Sequence, residues 1–93
     1  MTVLATYIKQ PDEKESYSID YSDDLEEDDF ISLAVTTVSD PALLIDATVC
    51  TSTIVKMWIE GGMDGVKYKV IVTATTNAGR ILQDEYYIKV KAY

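Results

Sequence analysis

The sequence predicts an all-β protein, an immunoglobulin-like antiparallel β-sandwich of about seven strands. Short extended segments alternate with turn residues at the spacing that sandwiches use, and no window keeps the period of about 3.6 residues that marks a helix. A chain of 93 residues that is 47% hydrophobic buries one modest core and leaves no room for a second. We therefore expect residues 1–93 to form a single immunoglobulin-like domain.

The N-terminal segment, residues 2–9, is rich in β-forming side chains and stops just before Pro11. We expect residues 1–10 to form an edge strand or a strand exchanged with a neighbouring subunit. Residues 17–21 alternate apolar and polar side chains, which is the pattern of a half-buried second strand.

A third segment, residues 30–39, carries Ile31, Leu33 and Val35 at alternate positions. Because alternate side chains of a strand share one face, these three are expected on the same side of the sheet. Pro41 ends the segment, since proline lacks the N–H that a sheet needs.

Residues 44–53 and 54–60 predict two further strands. Alternation in the second of them puts three apolar residues on one side and Trp58 on the other, and Gly61 with Gly62 then breaks the strand. Trp58 either covers a sheet edge or is an exposed anchor for a partner protein, because exposed aromatic side chains concentrate at interfaces.

The last two segments, residues 67–76 and 80–92, are predicted to form a hairpin in a defined register. Gly79 ends the three-residue loop 77–79, because glycine adopts the left-handed conformation at little steric cost. Pairing Thr76 with Arg80 then places six residues on one face, the core face: Tyr68, Val70, Ala74, Leu82, Tyr86 and Ile88.

On the outer face of this hairpin, the same register sets Lys67 opposite Lys89 and Lys69 opposite Tyr87. Like charges directly opposite each other destabilise a hairpin by a few tenths of a kcal/mol. A nearby acidic segment or a partner would relieve this repulsion, and the acidic turn described below is a candidate. Lys67, Lys69 and Tyr87 are accordingly candidate partner contacts.

Tyr68 stands near the start of a late strand, after a glycine turn. Immunoglobulin-type sandwiches use a tyrosine in this place to bond the preceding corner, and simple core packing is the alternative. Val70 occupies the position of the second cysteine of those domains. Structural roles are predicted for Tyr68, Gly61, Gly62, Gly65 and Gly79.

The formal net charge of −8 comes from the N-terminal part of the chain, since residues 1–29 hold ten acidic residues and two lysines. Most of these acids fall in an acidic turn, residues 20–29. It is a solvated loop, a surface for a basic partner, or a calcium site, although the spacing of a calcium-binding loop is missing. The candidate partner contacts in it are Asp23, Asp24, Glu26 and Glu27. Nucleic acid and anionic membranes are disfavoured partners.

The chain contains no histidine and one cysteine, which excludes most zinc sites, histidine-dependent nucleophile pairs and an internal disulfide. Residues 61–65 are glycine-rich but lack the Lys-Ser/Thr of a phosphate loop. No apolar run has the ~20 residues of a membrane span, and the first ten residues lack the pattern of a secretory signal. We therefore predict a protein that is not an enzyme, with no catalytic residues, cofactor or metal.

Several motifs together resemble a known family. Residues 58–68 read W-I-E-G-G-M-D-G-V-K-Y and residues 75–80 read T-T-N-A-G-R. With residues 9–11, 16–22 and 29–31 and with Leu25, they are similar to segments of the fiber-tail adaptor proteins, which are small tail-associated virion proteins of tailed bacteriophages. The resemblance covers residues 9–91.

The resemblance implies an immunoglobulin-like structural subunit of a bacteriophage virion. Such a subunit would link tail or neck components, such as fibers, to the tail by protein–protein contacts. The implied partners are other virion proteins and further copies of the chain, and the implied location is the virion after synthesis in the cytoplasm of the host bacterium.

An adhesive or carbohydrate-binding β-sandwich is the alternative function. In that interpretation Trp58, Tyr87 and the lysines of the last hairpin form a platform on which a sugar stacks.

Overall fold

Seven β-strands form the regular structure of residues 2–92, which are the residues that the computed structural model describes. They are β1 (Thr2–Lys9), β2 (Lys14–Asp20), β3 (Ile31–Val38), β4 (Leu43–Cys50), β5 (Ile54–Gly61), β6 (Lys67–Thr76) and β7 (Ile81–Val90). No helix occurs among these residues, and hence none that could cross a membrane. Met1, the first residue of the predicted segment 1–10, lies outside the described part.

The strands form two sheets, one in the order β1-β7-β6-β3 and one in the order β2-β5-β4. In the immunoglobulin constant-type sandwich the third, sixth and seventh strands share one sheet, and the second, fifth and fourth share the other. The present chain has the same arrangement, except that β1 lies parallel to β7 instead of beside β2. The predicted all-β sandwich of seven strands is confirmed.

The register of the last hairpin agrees with the prediction. Tyr68 pairs with Ile88, and Val70 pairs with Tyr86; all four side chains are buried. Gly79 has a φ of 91°, the left-handed conformation that lets a three-residue loop match the twist of the two strands.

The alternation predicted for residues 30–39 is interrupted in β3. The pairing with β6 shifts between Ile31 and Leu33, which is a β-bulge, and an extra residue in one strand moves the following side chains to the opposite face. Ile31 is buried, whereas Leu33 and Val35 are exposed. The expectation that these three share one face was therefore wrong.

The core lies between the two sheets and draws on both. It is built around buried residues of β5, β6 and β7 with Tyr21, Ile31 and Leu43 packed at its ends. The two open sides are closed differently: Thr48 Oγ1 donates to Thr36 Oγ1 at 2.9 Å between β4 and β3, and three tyrosines fill the side between β1 and β2.

That tyrosine cluster consists of Tyr7, Tyr17 and Tyr86. Tyr7 lies 5.1 Å from Tyr17 and 5.6 Å from Tyr86 between ring centroids, and the second pair has an edge-to-face geometry. Aromatic pairs in this range contribute stability beyond the area they bury. The cluster therefore ties β1 to its own chain, on the sheet edge beside β7.

The corner before β6 has the hydrogen bond expected of a tyrosine corner, since the Tyr68 hydroxyl accepts from the backbone N–H of Met63 at 2.9 Å. Gly62 makes the corner possible. It has a φ of 97°, and a Cβ at this position would lie 2.6 Å from Cγ2 of Val90. A larger residue therefore cannot fit here without moving β7.

Candidate functional site

The acidic turn, residues 20–29, is held in place by the β6–β7 hairpin. Asp29 Oδ1 accepts hydrogen bonds from the N–H groups of Phe30 and Ala78 at 2.9 and 3.0 Å. Arg80 Nη1 donates to the backbone oxygen of Asp24 at 2.7 Å. The turn and the hairpin loop together form one end of the molecule, called here the acidic end.

The Asp29 carboxylate is the charged group that connects the acidic turn to the hairpin loop. Burial opposes its ionisation, but hydrogen bonds from Thr76, Ala78 and Phe30 and the positive charge of Arg80 outweigh burial and lower the pKa of Asp29. The acidic turn is therefore anchored by an ionised group that points inward.

The four predicted contacts of the turn are accessible to solvent: Asp23, Asp24, Glu26 and Glu27. Within residues 2–92, no group of three or more acidic or cysteine side chains is arranged to hold a metal ion. Their role as contacts for a basic partner stays a prediction.

At the opposite end of the hairpin, the outer face of the four-stranded sheet is basic. Lys69 Nζ lies 3.2 Å from Glu85 Oε2, and the hydrogen bond and charge of Glu85 raise the pKa of Lys69. Lys67 Nζ lies 4.5 Å from the centroid of the Tyr87 ring, a cation–π contact. We call Lys67, Lys69, Tyr87 and Lys89 the lysine patch.

The proposed relief of lysine repulsion by the acidic turn was wrong. Lys67 and Thr76 stand at the two ends of β6, about 30 Å apart at ~3.4 Å per residue, and the turn contacts the Thr76 end. The charge that stabilises the patch comes from Glu85 of β7, within the sheet itself.

Between the acidic end and the lysine patch, the same outer face exposes apolar side chains. Leu33 pairs with Thr75 and Thr75 with Ile81, so Leu33 and Ile81 lie in one row across the sheet. Leu33 is 56% exposed, Ile81 69% and Val35 48%. We call these three residues the apolar strip, and the bulge in β3 accounts for the exposure of Leu33 and Val35.

Trp58 lies on the outer face of the other sheet. It is half-buried, its strand neighbours Ser16 and Ala47 are small, and Lys56 Nζ lies 4.9 Å from its ring centroid. Trp58 and Tyr87 therefore face away from each other on opposite sides of the sandwich. The predicted platform that combines them with the lysines does not form.

Sequence reasoning missed two buried charged residues, Lys9 and Glu85, and Lys9 is the more deeply buried of them. Its ammonium donates to the backbone oxygens of Gly61 and Gln10 at 2.6 and 2.7 Å, and its side chain is 1% exposed. The signal was present, because Lys9 has the same parity along β1 as Tyr7 and so points to the same, inner face.

An anchored acidic end, an apolar strip and a lysine patch therefore follow one another along the four-stranded sheet. A family model described as podophage GP4 fiber-tail adaptor protein gp77 matches residues 9–89. Strand β1 precedes nearly all of the matched region. No curated protein sequence matches the chain significantly.

Proposed function

Since the chain belongs to the podophage GP4 fiber-tail adaptor family, we propose that it is a structural subunit of the virion that links fibers to the tail by protein–protein contacts. Membership of this family implies a component of the phage virion and confirms the resemblance found in the sequence. The family match is the observation that carries the proposal. It also supports a structural rather than an enzymatic role, with synthesis in the cytoplasm of the host bacterium.

The surface that we assign to this linking role is the outer face of the four-stranded sheet. Exposed apolar residues that are contiguous and bordered by charge are typical of interaction sites. The apolar strip supplies area to bury, while the acidic end and the lysine patch supply opposite charges that orient a partner and reject wrong ones. Trp58, on the other sheet, is a candidate for a second contact.

Contact between copies of the chain is part of the proposal. Strand β3 is the last strand of its sheet, and residues 30–39 contain no charged residue. Exposed edges of soluble sheets are usually protected by charges or proline, and an unprotected edge can accept another strand. We infer that β3 lies against a neighbouring subunit or fiber protein in the particle.

The test is binding of the purified chain to the purified tail and fiber proteins of the same phage, followed by sedimentation and electron microscopy. The decisive variant is Val35→Lys, which puts a charge into the apolar strip. Val49→Lys is the matched control, because Val49 is also an exposed valine (54%) of an edge strand but lies in the other sheet.

We expect the unmodified chain and Val49→Lys to join the complex and Val35→Lys to lose it. A chain that binds none of the tail or fiber proteins contradicts the linking role. Loss of the complex in Val49→Lys alone would indicate that the partner binds the three-stranded sheet instead. Binding of sugars by the chain, abolished in Trp58→Ala, would favour the adhesive function instead.

A further inference from the structure

An open pocket lies at the acidic end, between the acidic turn and the beginning of β7. Its volume is about 200 Å³, and it is lined by Tyr21, Asp24, Ile81, Leu82, Gln83 and Asp84. This size is below the range of small-molecule sites and suits a single side chain. Ile81, at the rim of the pocket, also belongs to the apolar strip, so the pocket adjoins the proposed interface.

A buried hydroxyl group belongs to this pocket. Tyr21 is 1% exposed, and its hydroxyl has no hydrogen-bond partner among the described residues. Burial first, and then a polar interaction of the hydroxyl proton with the Asp84 carboxylate, raise the pKa of Tyr21, with a smaller effect from the charge of Asp24. Tyr21 and both acids line the pocket, so the hydroxyl proton is directed to Asp84 and the hydroxyl oxygen is the acceptor that lacks a donor among the described residues. Since both acids line the pocket, the Tyr21 hydroxyl lies on the pocket side.

Among residues 2–92, no cationic side chain forms an ion pair with Asp24 or Asp84, the two carboxylates of the pocket. Arg80 is the basic residue of this end, but its guanidinium donates to the backbone oxygen of Asp24 and its charge acts on Asp29. An unsatisfied buried hydroxyl and two unpaired acids thus converge on one space, which is an arrangement that favours a bound donor group.

The walls of the pocket are suited to a long side chain. Ile81 and Leu82 are apolar and can pack against methylene groups, while the polar groups meet the charged tip that such a side chain keeps at its end. A guanidinium is planar and offers five N–H donors, so it can satisfy several acceptors at once. A metal ion is a poorer fit, because calcium takes six to eight oxygen ligands.

We propose that this pocket receives an arginine side chain of a partner protein in the virion, with Asp24 and Asp84 pairing with the guanidinium and the Tyr21 hydroxyl accepting one of its hydrogen bonds. The inference rests on the proposed linking function and specifies its chemistry: the partner presents an arginine beside apolar residues that cover the strip.

The probe is N-acetyl-arginine amide, titrated into the full ¹⁵N-labelled chain and followed by the amide resonances of residues 21–24 and 81–84. N-acetyl-citrulline amide has the same shape without the charge. We expect saturable shifts with arginine and none with citrulline. Asp84→Asn should weaken arginine binding by about fivefold, and Tyr21→Phe should weaken it less. Asp23→Asn is the control, because Asp23 lies in the acidic turn but does not line the pocket.

Equal binding of citrulline and arginine, or equal weakening by Asp23→Asn and Asp84→Asn, overturns the proposal. Calcium or magnesium giving the same saturable shifts overturns it in favour of a metal site. A dispersed amide spectrum of Asp84→Asn shows that the variant folds.

Asp84→Asn then enters the binding experiment with tail and fiber proteins, with Asp28→Asn as the control. Asp28 is an exposed acid of the turn that neither lines the pocket nor belongs to the predicted partner contacts. Loss of the complex in Asp84→Asn but not in Asp28→Asn supports the proposal. A complex that persists in Asp84→Asn overturns the arginine pocket and leaves the linking function standing. A chain that binds free arginine but none of the virion proteins contradicts the linking function instead.

Discussion

The ammonium of Lys9 lies 2.6 Å from the carbonyl oxygen of Gly61, and this contact joins the end of β1 in one sheet to the end of β5 in the other. The side chain is almost fully buried. Burial lowers the pKa of Lys9, although the surrounding acids, Glu13 first, act in the opposite direction. A buried charge is retained here because backbone oxygens surround it.

Lys9→Met should destabilise the protein, since it leaves the oxygens of Gly61 and Gln10 without their donor. We expect the free energy of unfolding to fall by about 2–3 kcal/mol, measured by urea unfolding at neutral pH. Lys89→Met is the control. Lys89 is exposed and faces Lys67 across the hairpin, so its removal should leave stability unchanged or slightly raised. Equal midpoints for the two variants would contradict the structural role of Lys9.

Gly62→Ala and Gly65→Ala form a matched pair. Both glycines have positive φ, 97° and 85°, but a Cβ at Gly62 would lie 2.6 Å from Val90 Cγ2 whereas a Cβ at Gly65 meets no atom within 4 Å. Backbone strain alone costs about 1 kcal/mol, so that is the expected loss for Gly65→Ala. The clash should raise the loss for Gly62→Ala to about 2–4 kcal/mol. Thermal unfolding measures the difference in stability between the two variants. Similar losses would mean that Val90 and β7 shift at little cost in free energy.

The parts of the fold that the sequence predicts well are local. The loop 77–79 contains a glycine where a left-handed residue is required, and a three-residue loop sets a register that puts Tyr68, Val70, Tyr86 and Ile88 on the same face. Alternation in β5 likewise gives the outward direction of Trp58. In each case the prediction depends only on residues that are close together in the chain.

The parts that the sequence does not predict depend on distant contacts. The bulge in β3 begins where Ile31 N–H bonds the oxygen of Ser52, and the uniformly uncharged residues 30–39 give no sign of an extra residue. The meeting of Tyr21, Asp24 and Asp84 also joins segments far apart in the chain. The apolar strip and the pocket could be found only once these contacts were known.

The acidic turn should loosen when Asp29 is replaced. Its carboxylate accepts two backbone N–H bonds, so Asp29→Ala should lower the melting temperature and speed amide exchange at Ala78. Asp29→Asn keeps one oxygen acceptor and should lose less, and Asp28→Asn, at an exposed neighbour, is the control.

The Asp29 carboxylate should also make the stability of the protein depend on pH in the acid range. The pKa of Asp29 is lowered from 3.8, so its contribution is fully present above that pH and is lost as the pH falls through the folded-state value. Asp29→Asn should remove this part of the acid dependence. Identical acid unfolding curves for Asp29→Asn and the unmodified chain would show that the negative charge of Asp29 does not contribute to stability.

Three tyrosines, Tyr17, Tyr21 and Tyr86, should make the stability of the protein sensitive to alkali. Burial raises the pKa of Tyr17 from 10.0 to about 12, and burial also raises the pKa of Tyr86 and Tyr21. Between pH 10 and 12 the unfolded chain therefore releases protons that the folded chain keeps. Stability that is fully present below pH 10 should decline as the pH rises through this interval. Lys9, whose pKa is lowered from 10.5, acts in the opposite direction just below that value, but three tyrosines outweigh one lysine.

Tyr86→Phe removes the hydroxyl but keeps the ring, so it measures how much of the alkaline loss of stability comes from the Tyr86 hydroxyl. The Tyr86 hydroxyl is buried and has no hydrogen-bond partner among the described residues, so its removal should leave stability at neutral pH unchanged or raised by up to about 1 kcal/mol. Above pH 10 the variant should lose stability less steeply than the unmodified chain. The variant lacks the Tyr86 hydroxyl, which stays protonated in the folded chain and loses its proton in the unfolded chain. Urea unfolding midpoints across the alkaline range, with tyrosinate absorbance as a second signal, measure both effects. A Tyr86→Phe variant that is clearly destabilised at neutral pH would mean that the hydroxyl does have a partner, and parallel alkaline curves would assign the response to Tyr17 and Tyr21.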